Sequence, residues 1–369
     1  MLSAMVAPFA FIKKAFTFMP RVSDEKLSEE ESLTLLHDVS LAVSMSTLVY
    51  LGRFSWLEHS ALGTENELPI PVSRIAALKL SKPNTWINSA YHWIGNLFFD
   101  FVDAWEMLLT TQQFDGLSIT WVSPRRNMII VENARDKQIL ICIRGTLSAR
   151  ELALDATAVP VPDGCGNFVH AGFLIQSREL WASLEQYYET RFLRSEGDMN
   201  TWDIMITGHS LGAACSEIIL QWAINDKRMK LFQHAQKPIR AILLSNPRAI
   251  SRVNPSLRNF AEDPMVSILH VVTAADVIDR IHSVLPGVYN HIDMKTHIIS
   301  DDGIYRSMTT RSLWSPPVPF LHFHFTTKYI SSLLQNVDIG DIERWIDAVQ
   351  HSKRHSCQIL EDSKLQASS

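Results

Sequence analysis

The run Gly208-His209-Ser210-Leu211-Gly212 sets a serine between two glycines, directly after the apolar stretch IMIT and directly before LGAACSEIILQWAI. An apolar strand that turns sharply into a helix presents the turn serine as a nucleophile, and glycines on either side admit the close approach of strand and helix. Ser210 is therefore the candidate nucleophile, and the plainer alternative is a structural Gly-Ser turn. A nucleophile that attacks a carbonyl needs donors for the oxyanion it creates. The N–H of Leu211, at the start of the following helix, is one candidate, because the helix dipole favours negative charge there. Thr146 is the other, standing where the strand-like QILICIR stops, with a hydroxyl that adds a hydrogen bond.

In this architecture the acid and then the histidine follow the serine along the chain. Asp276 comes just after the apolar LHVVT, in the loop at the carboxyl edge of a sheet where α/β sites are built, and Asp279 competes with it locally. Of the histidines beyond, His324 lies in FLHFHFTTKYISSLL, at the junction of an apolar stretch and a helix capped by Thr326 or Thr327. His322 is two residues away and would share its face in an extended run, so spacing leaves both open.

These groups need a frame to hold them. From Leu117 onward short β-type runs recur: LSITWVS, NMIIVENA, QILICIR, DIMITG, AILLSN and MVSILHVVT. Helical stretches at 171–195 and 211–225 lie between the later ones, which predicts βαβ units and an α/β fold with a mostly parallel central sheet flanked by helices. Ahead of it, LTLLHDVSLAVSMSTLVYL reads as a helix that Ser32 caps, and NTWINSAYHWIGNLFFDFVDAWEMLL as a second. Asp100, Asp103 and Glu106 argue against the second crossing a membrane. The expected organisation is an N-terminal tail over 1–30, a helical extension over 31–112 packed on the core, a catalytic domain over 113–350 and a polar tail over 351–369.

The composition excludes several classes. With 369 residues, 46% of them hydrophobic, the chain can bury a large core, and a net charge of −5 offers no basic surface for nucleic acid. Four cysteines without C-x-x-C spacing suggest neither a zinc site nor a disulfide framework, so no metal or organic cofactor is expected and an intracellular location is. The first residues, MLSAMVAPFAFIKKAFTFMPR, are apolar and basic, but Lys13 and Lys14 break the run below spanning length. They fit a membrane-surface helix with Phe9, Ile12, Phe16 and Met19 on one side, an organellar transit peptide, or a disordered tail.

Taken together, the motifs resemble the class 3, fungal-lipase-like family of α/β hydrolases, and within it the diacylglycerol lipase branch. IRGTLSARELALDATA is similar to that branch's strand-end Arg-Gly-Thr with a spaced aspartate, here Asp155. VHAGFL (169–174) resembles its His-x-Gly element, and ITGHSLGAACSEI its elbow, with Ala213 where many secreted fungal members have glycine. The segment NPSLRNFAEDPMVSILHVVTAADVIDRI resembles the approach to the catalytic acid, which favours Asp276, although Asp279 stands where the family often has proline. The five-residue step from His324 to Tyr329 matches the family's histidine and tyrosine, and favours His324 over His322. The resemblance covers roughly residues 117–335.

It implies a serine lipase with Ser210, His324 and Asp276 as its triad, acting on diacylglycerol or a similar neutral glyceride. It also implies a regulatory loop over the site within 282–322, whose plainer reading is a strand pair plus surface loop. A phospholipase A1 or galactolipase is the enzymatic alternative, and a lipase-like scaffold protein the non-enzymatic one. The branch's multi-span membrane domain is not seen here, so attachment to a membrane or lipid droplet would be peripheral; protein partners stay open.

Overall fold

The computed structural model describes residues 24–51, 68–73, 116–146, 159–192, 201–226, 238–252, 266–273, 296–300 and 303–307. Five strands form the centre of a ten-stranded sheet, each parallel to its neighbours: β5 (Gln138–Ile143), β8 (Asp203–His209), β9 (Ile239–Leu244), β11 (Val266–Thr273) and β12 (Thr296–Ser300). Antiparallel strands flank them. On one side come β4 (Met128–Asn133), β3 (Leu117–Val122) and β2 (Ile70–Pro71); on the other, β13 (Gly303–Ser307) and β1 (Asp24–Lys26). The sheet is thus parallel at its centre, as expected, and antiparallel at both edges.

The central strands read as continuous apolar runs because both faces are covered. Ile139, Ile141 and Ile143 point to one face with Ile204, Ile206, Ala241 and Leu243, and there meet helices α2 (Ala171–Arg191) and α3 (Leu211–Asp226). Leu140, Cys142, Met205, Ile242 and Leu244 alternate to the other face, where Val39, Ala42, Val43 and Met45 of helix α1 (Glu29–Leu51) cover them. Each fully buried aliphatic side chain contributes about 1.5–3 kcal/mol, so this two-sided burial dominates the stability of the sheet. No helix among the described residues is long and apolar enough to cross a membrane.

Helix α1 begins at Glu29, so the expected cap at Ser32 and the expected boundary at residue 30 both fall inside it. The cap is Ser28: its Oγ accepts from the N–H of Glu31 at 3.3 Å, and the Glu31 carboxylate accepts from the Ser28 N–H at 3.1 Å. This reciprocal box and the acids of the first turn favour the earlier start. Hydrogen bonds from Ser28, with the Arg306 guanidinium nearby, hold the Glu31 carboxyl below its usual range. Arg240 on β9 ties α1 to the sheet, bridging Asp38 and Asp203 at 3.2 Å each.

A second sheet of three short strands, ordered β10-β7-β6, contains β10 (Ile250–Arg252), β7 (Phe168–His170) and β6 (Pro160–Pro162). It leads the chain into α2 through His170, whose Nδ1 accepts from the Phe173 N–H at 3.4 Å as the helix cap. Farther along α2, the Tyr187 hydroxyl donates to Glu132 of β4 at 2.8 Å, joined by Arg191. Burial first, and the Glu132 charge second, push that hydroxyl well above the ordinary tyrosine range.

Of the connection at 282–322, the strand pair β12 and β13 is described; the remainder, residues 1–23 of the expected tail and the second helical run over 84–109 lie outside the described residues.

Candidate active site

The parallel strands end level with one another. Ile143 pairs with Gly208, His209 with Leu244, and Leu244 with Val271, so the residues after them gather at one edge. This is the carboxyl edge, where α/β folds place their sites.

Ser210 stands there between β8 and α3, half-buried, with φ at +58°. A side chain in the left-handed region is strained and persists only where the surroundings fix it. Here the Ser210 N–H donates to Leu244 O at 2.9 Å, and the Ser210 carbonyl accepts from the N–H groups of Ala213 and Ala214 at 2.9 and 3.1 Å. The turn is thereby locked to β9 on one side and to the first helical turn on the other.

The two glycines are required by contact. A Cβ on Gly208 would stand 2.4 Å from the Gly212 carbonyl carbon, and one on Gly212 would stand 2.2 Å from Ile143 O. Both approaches are far inside van der Waals contact, against backbone that has nowhere to move. Helix α3 therefore starts pressed against the end of β5. Its residues from Leu211 to Ala223 are all buried, and Ser216 Oγ donates to Gly212 O at 2.8 Å, reinforcing the first turn.

That packing brings the oxyanion candidates to the same edge. An α-helix leaves its first N–H groups without an intrahelical acceptor, and Leu211 is the first residue of α3. Its side chain is buried, which fixes the backbone that would offer the N–H. Thr146 is half-buried, three residues after Ile143 and just beyond Arg144, the pair whose backbone abuts Gly212. Asp276 comes three residues after the end of β11. It lies outside the described residues, as do Asp279, His322, His324 and Asp155.

One feature of the edge has little signature in the sequence. Ser245 also adopts a left-handed conformation, with φ at +52°, and its N–H donates to Val271 O at 2.8 Å. The following Asn246-Pro247 is a turn signal, but nothing in it specifies a left-handed serine before it. Next to it, the buried Asn246 Nδ2 donates to Glu217 Oε2 on α3 at 2.7 Å.

A serine at a strained strand–helix corner, on the carboxyl edge of a sheet with helices on both faces, is the arrangement of the α/β-hydrolase fold. Residues 140–285 match the family model described as Lipase (class 3). A phospholipase A1-II 3 from Oryza sativa subsp. indica is 32% identical over 172 residues, which span 41% of this chain and 40% of that protein's length. The lipase of Rhizopus microsporus var. chinensis aligns over 88% of this chain and 90% of its own, at 13% identity and a TM-score of 0.47. The Rhizomucor miehei lipase propeptide complex aligns over 88% and 86%, at 15% identity and a TM-score of 0.46.

Proposed function

We propose that the chain is a serine carboxylic-ester hydrolase that cleaves fatty-acyl esters of diacylglycerol or a similar neutral glyceride. The observation that carries this reading is the left-handed Ser210, crowded by Gly208 and Gly212 at the mouth of α3. In the reaction, Ser210 Oγ attacks the ester carbonyl while His324 removes its proton, and Asp276 holds the imidazole tautomer and stabilises its charged form. The N–H groups of Leu211 and Thr146 receive the oxyanion, and one such donor contributes about 3 kcal/mol to transition-state stabilisation. The alcohol leaves with the proton from His324. Water, activated by the same histidine, then cleaves the acyl-enzyme.

The rice relative favours a second reading, a phospholipase A1 acting on polar membrane lipids. Either substrate would be met at a membrane or lipid-droplet surface, inside the cell, with the N-terminal segment as a peripheral anchor or targeting signal.

Fluorophosphonate labelling of wild type, Ser210→Ala, His324→Ala and His322→Ala, with hydrolysis of a diacylglycerol and a phosphatidylcholine alongside, tests the proposal. Labelling and turnover should vanish in Ser210→Ala and His324→Ala and persist in His322→Ala, and the preferred lipid separates the two substrate readings. A folded wild type that neither labels nor hydrolyses either lipid would leave the scaffold reading in its place.

A further inference from the structure

Glu217 lies on α3, seven residues beyond Ser210, and is 0% exposed. A carboxylate removed from water is costly unless polar groups meet it, so the groups it meets show what it maintains. Asn246 Nδ2 donates to Glu217 Oε2 at 2.7 Å, and Asn246 is also 0% exposed. Asn246 Oδ1 has no hydrogen-bond partner among the described residues, so the bond to Glu217 is what anchors this amide.

Asn246 follows the left-handed Ser245 at the end of β9, where backbone bonds reach the chain on either side. Leu244 O accepts from the Ser210 N–H at 2.9 Å, and the Ser245 N–H donates to Val271 O at 2.8 Å. The elbow is thus bonded to the end of β9, and the end of β9 to β11, the strand that runs to Thr273 and on toward Asp276. A non-glycine residue at positive φ holds that conformation only while its surroundings impose it. Release of Asn246 would let the Ser245 turn relax, and both of these backbone bonds would shift with it.

We propose that Glu217 is a positioning residue for Ser210: through Asn246 it fixes the Ser245 turn, and so the spacing between the elbow and the strand that leads to the candidate acid. The inference rests on the hydrolase reading above and adds a residue to it that touches no substrate.

The test measures the rate of fluorophosphonate labelling, together with kcat and KM for a soluble ester, in the full chain. The variants are Glu217→Gln, Glu217→Ala, Asn246→Ala and Asn246→Asp, with near-UV circular dichroism to establish folding. Glu217→Gln keeps an acceptor for the Asn246 amide and should label within about 3-fold of wild type, whereas Glu217→Ala and Asn246→Ala should lose about 10- to 100-fold in labelling rate and kcat at unchanged KM. Asn246→Asp sets two carboxyl groups in contact, which cannot both ionise cheaply, so its labelling should recover as pH falls and fade as pH rises. Folded alanine variants that label at the wild-type rate overturn the proposal. If they do not fold, an Asn246→Asp pH profile parallel to wild type overturns it equally. A wild type indistinguishable from Ser210→Ala would instead remove the hydrolase reading, and this inference with it.

Discussion

Two serines at adjacent strand ends share a left-handed backbone and differ in almost everything else. Ser210, at φ +58°, is half-buried and stands between glycines; Ser245, at φ +52°, is fully buried and stands between Leu244 and Asn246. After Ser210 the chain turns at once into α3, so strand, turn and helix crowd one point and no Cβ fits at Gly208 or Gly212. After Ser245 the chain runs through Asn246-Pro247 to β10, with no helix starting there to crowd it. Beside that turn, where Ser210 has a glycine two residues away on either side, stands a buried amide that donates to Glu217. Backbone strain therefore marks both turns, and exposure separates them, with Ser210 half-buried and Ser245 fully buried.

The largest effect expected from breaking this contrast is at Gly212. Gly212→Ala would drive a methyl against Ile143 O and should cost at least about 3 kcal/mol, at or beyond the upper end of ordinary overpacking, with labelling lost along with the fold. Denaturant unfolding checks it; a variant of wild-type stability would mean that α3 can back away from β5.

Ser28→Ala supplies a control far from both turns. Loss of the α1 cap should cost about 1 kcal/mol and leave the labelling rate of the folded protein unchanged. Should labelling fall with it, the elbow responds to general loss of stability, and the contrast between the two serines loses its force. The smallest change is expected for Ser245→Gly. Glycine adopts positive φ without strain but gains freedom in the unfolded chain, so the two effects should leave stability within about 1 kcal/mol of wild type. A larger loss in thermal unfolding would locate the importance of Ser245 in its side chain and not in its backbone.

The sequence made some of this plain and hid the rest for physical reasons. The central strands β5, β8, β9 and β11 announce themselves because two-sided burial demands runs such as QILICI and IRAILL. Helices α2 and α3 were legible for a related reason, as long stretches between such runs. Strands β1, β6, β7 and β10 hold three residues each, too few to show a period, and they exist because distant partners pair with them. At the candidate site, the strand–turn–helix corner around Ser210 could be read from the elbow motif, and the end of β5 ahead of Thr146 from the run QILICIR. The left-handed turn at Ser245 could not, because its N–H is bonded to Val271 O on another strand, a contact that no local pattern encodes. Ser28 was hidden by its setting: in an acid-rich stretch Ser32 looks like an equal cap, and Glu31 decides between them by reaching back to the Ser28 N–H.

The pairing of β1 with β13 bears on how the molecule is assembled in time. Asp24 lies opposite Ser307, and Arg306 meets Glu25, a contact across 281 residues of chain. Helix α1 likewise packs on β5, β8 and β9, all made long after it. During synthesis the ribosome therefore releases an apolar helix and an edge strand well before their partners exist. Closure of the sheet must wait for β12 and β13, and contacts of such long range form slowly. The interval in which α1 is uncovered is when the nascent chain is most exposed to aggregation, and most in need of a chaperone.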